Sequence, residues 1–112
     1  MKKIEAIIPP FRFKQIQEAL DEIGVGGLTA SDVRGFGRRR GHVELYRGQE
    51  YDTSLRPQIK IEVVVGDRDL EESIAAIVGA ARTGRLGDGK IFVTDIAEAI
   101  RIRNDNRNEA AV

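Results

Sequence analysis

Thr83-Gly84-Arg85-Leu86-Gly87-Asp88-Gly89-Lys90-Ile91-Phe92-Val93 sets one carboxylate and one amine in a run of glycines that leads straight into an apolar segment. Gly84, Gly87 and Gly89 permit positive φ and let a ligand approach backbone N–H groups closely. Successive turn amides form a concavity suited to phosphate oxygens, and Lys90 adds a point charge beside it. The same residues also read as a plain turn between a helix and a strand with Lys90 in solvent, because short glycine motifs are weak signals. A Walker A loop is excluded, since Ile91 follows the lysine and the GxxxxGK[ST] spacing is absent.

Two other stretches carry chemically active side chains. Between Gly37 and Pro57 no period persists, and Arg38-Arg39-Arg40-Gly41-His42 is followed by Tyr46-Arg47-Gly48-Gln49-Glu50-Tyr51. An irregular connection of this length inside a small domain is usually functional, and Tyr and Arg are favoured contact residues. It reads as a protruding recognition loop over about 37–57, or as a long hairpin with a solvated tip. Near the end, Arg101 and Arg103 alternate with Ile100 and Ile102, which predicts a short strand showing two guanidinium groups on one face, or two ordinary surface charges.

The elements that must position these residues follow from periodicity. Residues 2–8 alternate with Ile4, Ala6 and Ile8 on one face, a strand stopped by Pro9-Pro10. Phe13, Ile16, Ala19, Leu20 and Ile23 recur at helical spacing, with Gly24 as the stop. Leu28–Arg34 is rich enough in Thr and Val for a second strand. Ile59, Ile61, Val63 and Val65 share one face of the clearest strand. Asp69 and Glu72 then form a capping-box variant that opens a helix with Leu70, Ile74, Ile77, Val78 and Ala81 inward. Gly79 inside that helix points to close packing. Lys90–Thr94 is a further strand, and the polar tail over about 104–112 is expected to be mobile.

The order strand, helix, strand, loop, strand, helix, strand is that of the α+β, ferredoxin-like βαββαβ arrangement, with one antiparallel sheet and both helices on one face. Glu5, Ile7, Lys60, Glu62 and Val64 then occupy the other face, a mixture better suited to an oligomer interface than to open water.

A chain of 112 residues predicts a single domain. Its 18 basic and 18 acidic residues balance, so charge gives no reason to expect nucleic acid or an anionic membrane. The absence of Cys excludes a disulfide framework and thiolate metal sites, and a lone His42 disfavours a His-rich metal site or a His-based triad. No apolar run nears the roughly 20 residues that span a bilayer, and Glu5, Pro9 and Pro10 interrupt any signal-peptide core. The expectation is a soluble cytoplasmic protein with no metal site and no membrane insertion.

Five motifs together resemble one family: Met1–Ile8, Val33-Arg34-Gly35-Phe36-Gly37-Arg38, Tyr46–Tyr51, Thr83–Val93 and Ile100-Arg101-Ile102-Arg103. End to end, the chain resembles the PII (GlnB/GlnK-type) nitrogen regulatory signal-transduction proteins. The resemblance implies a ferredoxin-like homotrimer, not an enzyme, with ATP or ADP in clefts between subunits. It implies that Gly35, Gly37, Arg38 and Arg39 enter the nucleotide site from the base of the loop. Thr29 and Val64 would lie on the adenine side, with Gly87, Asp88, Gly89 and Lys90 at the phosphates. Arg101 and Arg103 would come from the neighbouring subunit. Arg47 and Tyr51 match positions used for partner docking and modification, and an ammonium transporter or a metabolic enzyme is the implied kind of partner.

Three departures bear on the effector. The family's 2-oxoglutarate pocket typically uses a Lys or Arg at the position of Pro9, a Gln at that of Arg39 and a Lys at that of Gln58. Two cations are therefore gone, and a guanidinium with no acceptor stands where an amide oxygen would ligate Mg²⁺. This puts 2-oxoglutarate sensing and a role for Mg²⁺ in question while leaving nucleotide binding intact. A rival within the family is an adenylate sensor with another small anion, such as bicarbonate. A nucleotide-hydrolysing enzyme would need a positioned base and an acidic metal cluster, and a ferredoxin-like nucleic-acid module would need aromatic strand motifs; neither is present in the sequence.

Overall fold

The computed structural model describes residues 1–36, 43–46, 49–52 and 55–112. Strand β1 (Lys2–Ile8) leads through a 3₁₀ turn at Pro10–Arg12 into helix α1 (Phe13–Glu22). Strand β2 (Thr29–Gly35) precedes two short strands, β3 (Val43–Tyr46) and β4 (Gln49–Asp52). Then come β5 (Arg56–Val65), a 3₁₀ turn at Asp67–Asp69, helix α2 (Leu70–Ala81) and β6 (Lys90–Asp95). The main sheet has the order β2-β5-β1-β6, with every pair antiparallel, as the ferredoxin-like expectation requires.

Register divides the sheet into two faces. Ile4 pairs with Val63, Ala6 with Ile61 and Ile8 with Ile59, and this row faces the helices. Ile4, Ala6, Ile61 and Val63 are buried with Ile16 and Leu20 of α1 and Ile77 and Ala81 of α2. The apolar alternation specifies the register, because a one-residue slip would turn this whole set to the opposite face. Helix α1 ends as its glycine predicts. Gly24 takes φ +86°, its N–H donates to Asp21 O at 3.0 Å, and the Val25 N–H donates to Leu20 O at 3.0 Å, a left-handed C-terminal cap.

Three local expectations change. The capping box at Asp69 does not form: the Asp67–Asp69 turn holds Asp69 in the helical region with no side-chain cap bond. Ser73 sits fully buried in the α2 stripe instead, satisfied by donating from Oγ to Asp69 O at 2.7 Å. Gly79 faces open space, so close packing does not explain it. The segment without periodicity contains a hairpin, the second of its two readings, with β3 paired to β4 from Val43↔Asp52 to Tyr46↔Gln49; strands of four residues are too short to show a period.

The third change concerns Ile100–Arg103, which is a turn rather than a strand. Asn104 and Asp105 N–H groups both donate to Arg101 O, at 3.3 and 2.9 Å. The chain then folds back: Ile100 bridges Arg107, the Asn108 N–H donates to Ala99 O at 2.7 Å, and Asn108–Ala111 makes a 3₁₀ turn.

Candidate functional site

Gly84, Gly87 and Gly89 adopt φ of +83°, +97° and +110°, the left-handed conformations anticipated for them. Asp88 closes the bend they form. Its carboxylate accepts from the Thr83 and Gly84 N–H groups at 2.8 and 2.9 Å and from Thr83 Oγ1 at 2.5 Å. These bonds, the Thr83 hydroxyl first, hold the Asp88 pKa below its ordinary value, with a smaller contribution from Arg12. Asp88 therefore builds the bend and engages the first two amides with its side chain. Gly89 brings the bend against the sheet, since a β-carbon there would lie 2.0 Å from Ile7 O.

The bend forms one wall of a cavity of about 700 Å³. Gly87, Asp88, Gly89 and Lys90 meet Gly35, Pro9 and Gln58 there. The three altered effector positions thus reduce to two described ones, Pro9 and Gln58, that face the same space as the glycine bend. Arg39, with Gly37, Arg38 and Arg47, lies outside the described residues, and Tyr51 falls on β4. The Gln58 side chain turns toward β2: a β-carbon on Gly35 would sit 1.8 Å from Gln58 Oε1.

Thr29 and Val64 line a separate cavity of about 860 Å³, together with Arg101 and the Gly26-Gly27 backbone. Thr29 pairs with Glu62 in the sheet, so Val64 follows on the same β5 face as Glu62, Lys60 and Gln58. Six residues separate Val64 from Gln58, about 20 Å at the usual strand rise. The sheet face away from the helices thus connects the two cavities. Along it, Lys60 lies 4.0 Å from Glu5 and 3.9 Å from Glu62, and Lys3 lies 3.8 Å from Glu62, half-buried pairs that leave the face charge-balanced. Phe92 lies on this face opposite Glu5 and is 51% exposed. Arg101 and Lys90 line different cavities, and Arg103 is exposed in the turn after Ile100.

Arg56, Arg85, Phe36 and Leu86 also line the bend-side cavity, and sequence reasoning did not single them out. For Arg56 the usable signal was its two-residue spacing from Gln58 on one strand. Chemically, among the described residues the cavity offers left-handed turn amides with Lys90 and Arg85 beside them, a combination that accepts phosphate or carboxylate oxygens. Among the described residues no three His, Cys, Asp or Glu side chains cluster to hold a metal ion, and no helix is long and apolar enough to cross a membrane.

Comparison with known proteins gives one consistent result. The family profile described as "Nitrogen regulatory protein P-II" matches residues 1–106. A protein of that name from Bradyrhizobium diazoefficiens is 58% identical over 103 residues, 92% of each chain. One from Rhodospirillum rubrum is 55% identical over 112 residues, covering both chains completely. Nitrogen regulatory protein P-II 1 of Escherichia coli is 50% identical over the same full length.

Proposed function

The chain belongs to the nitrogen regulatory protein P-II family of signal-transduction proteins, and on that premise we propose that it reads ATP against ADP in clefts shared between the subunits of a cytoplasmic homotrimer. Residues 37–57 pass the nucleotide state to a partner, an ammonium transporter or a metabolic enzyme, with Arg47 and Tyr51 at the contact. The observation that carries this reading is the separation of Arg101 from Lys90. Both are suited to phosphate, yet one chain places them in different cavities, so a single bound nucleotide meets both only when a second copy supplies one of them. The exposed Phe92 and Ile102 side chains support burial against such a copy.

In this arrangement Thr29 and Val64, which share a cavity with Arg101, come from the neighbouring copy and border the base, and the bend amides of Gly87 and Gly89 with Lys90 hold the phosphates. Arg101 and Arg103 of the neighbouring copy close the phosphate end with charge-assisted hydrogen bonds. Gly35, Gly37, Arg38 and Arg39 connect this end to the loop. Coupling to the loop requires that its two states bind ATP and ADP with different affinity. Pro9 and Gln58 leave the effector end without the two cations that hold 2-oxoglutarate in relatives, so sensing of that dicarboxylate is weak or lost.

Calorimetric titration with ATP, ADP and AMP, each with and without Mg²⁺ and 2-oxoglutarate, tests the proposal alongside light scattering. Saturable ATP and ADP binding to a trimer is expected. A monomer in solution, or unchanged nucleotide affinity in an Arg101→Ala, Arg103→Ala double variant, would contradict it.

A further inference from the structure

Ile102 stands 97% exposed in a turn that is tied on both sides. The Arg101 N–H donates to Asn106 O at 2.8 Å, and Arg101 O accepts from the Asn104 and Asp105 N–H groups at 3.3 and 2.9 Å. These bonds fix the backbone around Ile102, so its side chain is held out from the chain rather than left on a loose end. A single exposed aliphatic side chain is ordinary on a protein surface. This one is flanked by Arg101 and Arg103, the pair that the nucleotide reading sends to the glycine bend of a neighbouring copy.

Beside that bend lies an apolar hole. A cavity of about 330 Å³ opens between the end of β1, helix α2 and the start of β6, with Ile8, Ile74, Ile77, Val78, Ala81 and Ile91 as its walls. Asp88, Gly89 and Lys90 line both this hole and the bend-side cavity, so the bend is the partition between the two. Ile74, Val78 and Ile91 are only half-buried, an aliphatic surface left partly open. Ile102 of the same chain does not fill it. Its neighbour Arg101 lines the cavity that includes Lys3, whereas Ile8 lines the hole. Lys3 and Ile8 are five residues apart on β1, about 17 Å at the usual strand rise.

We infer that Ile102 of a neighbouring copy seats in this hole between α2 and β6, and so positions Arg101 and Arg103 at the bend. The inference rests on the nucleotide reading above and adds to it a knob, a socket and a positioning residue. A branched aliphatic side chain meets six aliphatic walls, while the guanidinium groups on either side of it lie along the polar rim with Lys90. Seating Ile102 holds both arginines near Lys90 before phosphate arrives, which lowers the cost of ordering them on binding.

The chain has no cysteine, so an introduced pair reports proximity directly. Val78→Cys with Ile102→Cys, oxidised in the intact protein, should join copies through disulfides and give dimers and trimers on denaturing gels without reductant. Ile74→Cys replaces Val78→Cys if the first pair fails to assemble. Gln17→Cys with Ile102→Cys puts one thiol on the exposed side of α1 instead and should join few copies. Ile102→Ala should weaken ATP binding roughly three- to thirtyfold although it removes no charge, while Ile102→Val stays within about threefold of the parent. A trimeric pair variant that cross-links no better than the Gln17 control, or that closes its disulfide within one chain, would overturn the inference. So would parental ATP affinity in Ile102→Ala; either result leaves the nucleotide reading standing. A parent that is monomeric, or that binds no ATP, removes both.

Discussion

Gly89 lies so close to Ile7 that a β-carbon on it would sit 2.0 Å from the Ile7 carbonyl oxygen. The contact is with backbone, which cannot rotate away, and Gly89 also has φ +110°. Gly89→Ala should therefore cost on the order of 3 kcal/mol. The corresponding clash at Gly35 involves the far end of the Gln58 side chain, which can turn aside. Gly35→Ala should change stability by less than about 1 kcal/mol. Urea unfolding midpoints of the two variants would separate these cases, and equal losses would refute the distinction.

Asp88 gives the bend a pH dependence. Its pKa is lowered in the folded chain, chiefly by the Thr83 hydroxyl and backbone bonds. A carboxylate of this kind stabilises the fold above its ordinary pKa, and the contribution is lost as pH falls through the lower folded value. Thr83 and Gly84 amides should thus keep their protection from neutral pH down into the ordinary aspartate range and lose it only in stronger acid. Amide exchange followed by NMR as pH is lowered reads this directly. Asp88→Ala should show the loss already at neutral pH.

The periodic parts of the chain were legible because burial and period agree. Ile4, Ala6 and Ile8 alternate and are buried, and Ile16 and Leu20 recur at helical spacing and are buried. The same pattern misled at Ile100–Arg103, where alternating Ile and Arg turn instead and Ile102 is 97% exposed. Alternation reports a strand only when a neighbouring strand accepts it. Arg56 escaped notice because Pro57 made the segment read as loop. β1 ends at Ile8, opposite Ile59, so Pro57 has a strand neighbour on one side only, where a missing N–H is tolerated. The glycine bend was legible as a local motif, yet its distance from Arg101 was not, since no local pattern encodes which cavity a distant residue faces.

The effector end yields a gain-of-function prediction. Unaltered protein with Mg²⁺-ATP should bind 2-oxoglutarate at least roughly tenfold more weakly than a relative that keeps the two cations, as expected when a charge-assisted anchor is missing. Arg39→Gln with Gln58→Lys should restore Mg²⁺-dependent binding, whereas Arg39→Gln alone should not. Micromolar 2-oxoglutarate binding to the unaltered protein, measured by calorimetry, would refute this.

The shared cleft is tested most directly by mixing two defective chains. Lys90→Ala and the Arg101→Ala, Arg103→Ala double variant should each bind ATP at least roughly tenfold more weakly than the parent, through loss of charge-assisted contacts. Unfolding the two together and refolding the mixture lets subunits assort at random. If each cleft takes Lys90 from one copy and the arginines from its neighbour, about a quarter of the clefts in the mixture should regain parental ATP affinity. A mixture that assembles into mixed trimers yet contains no high-affinity site would contradict the account.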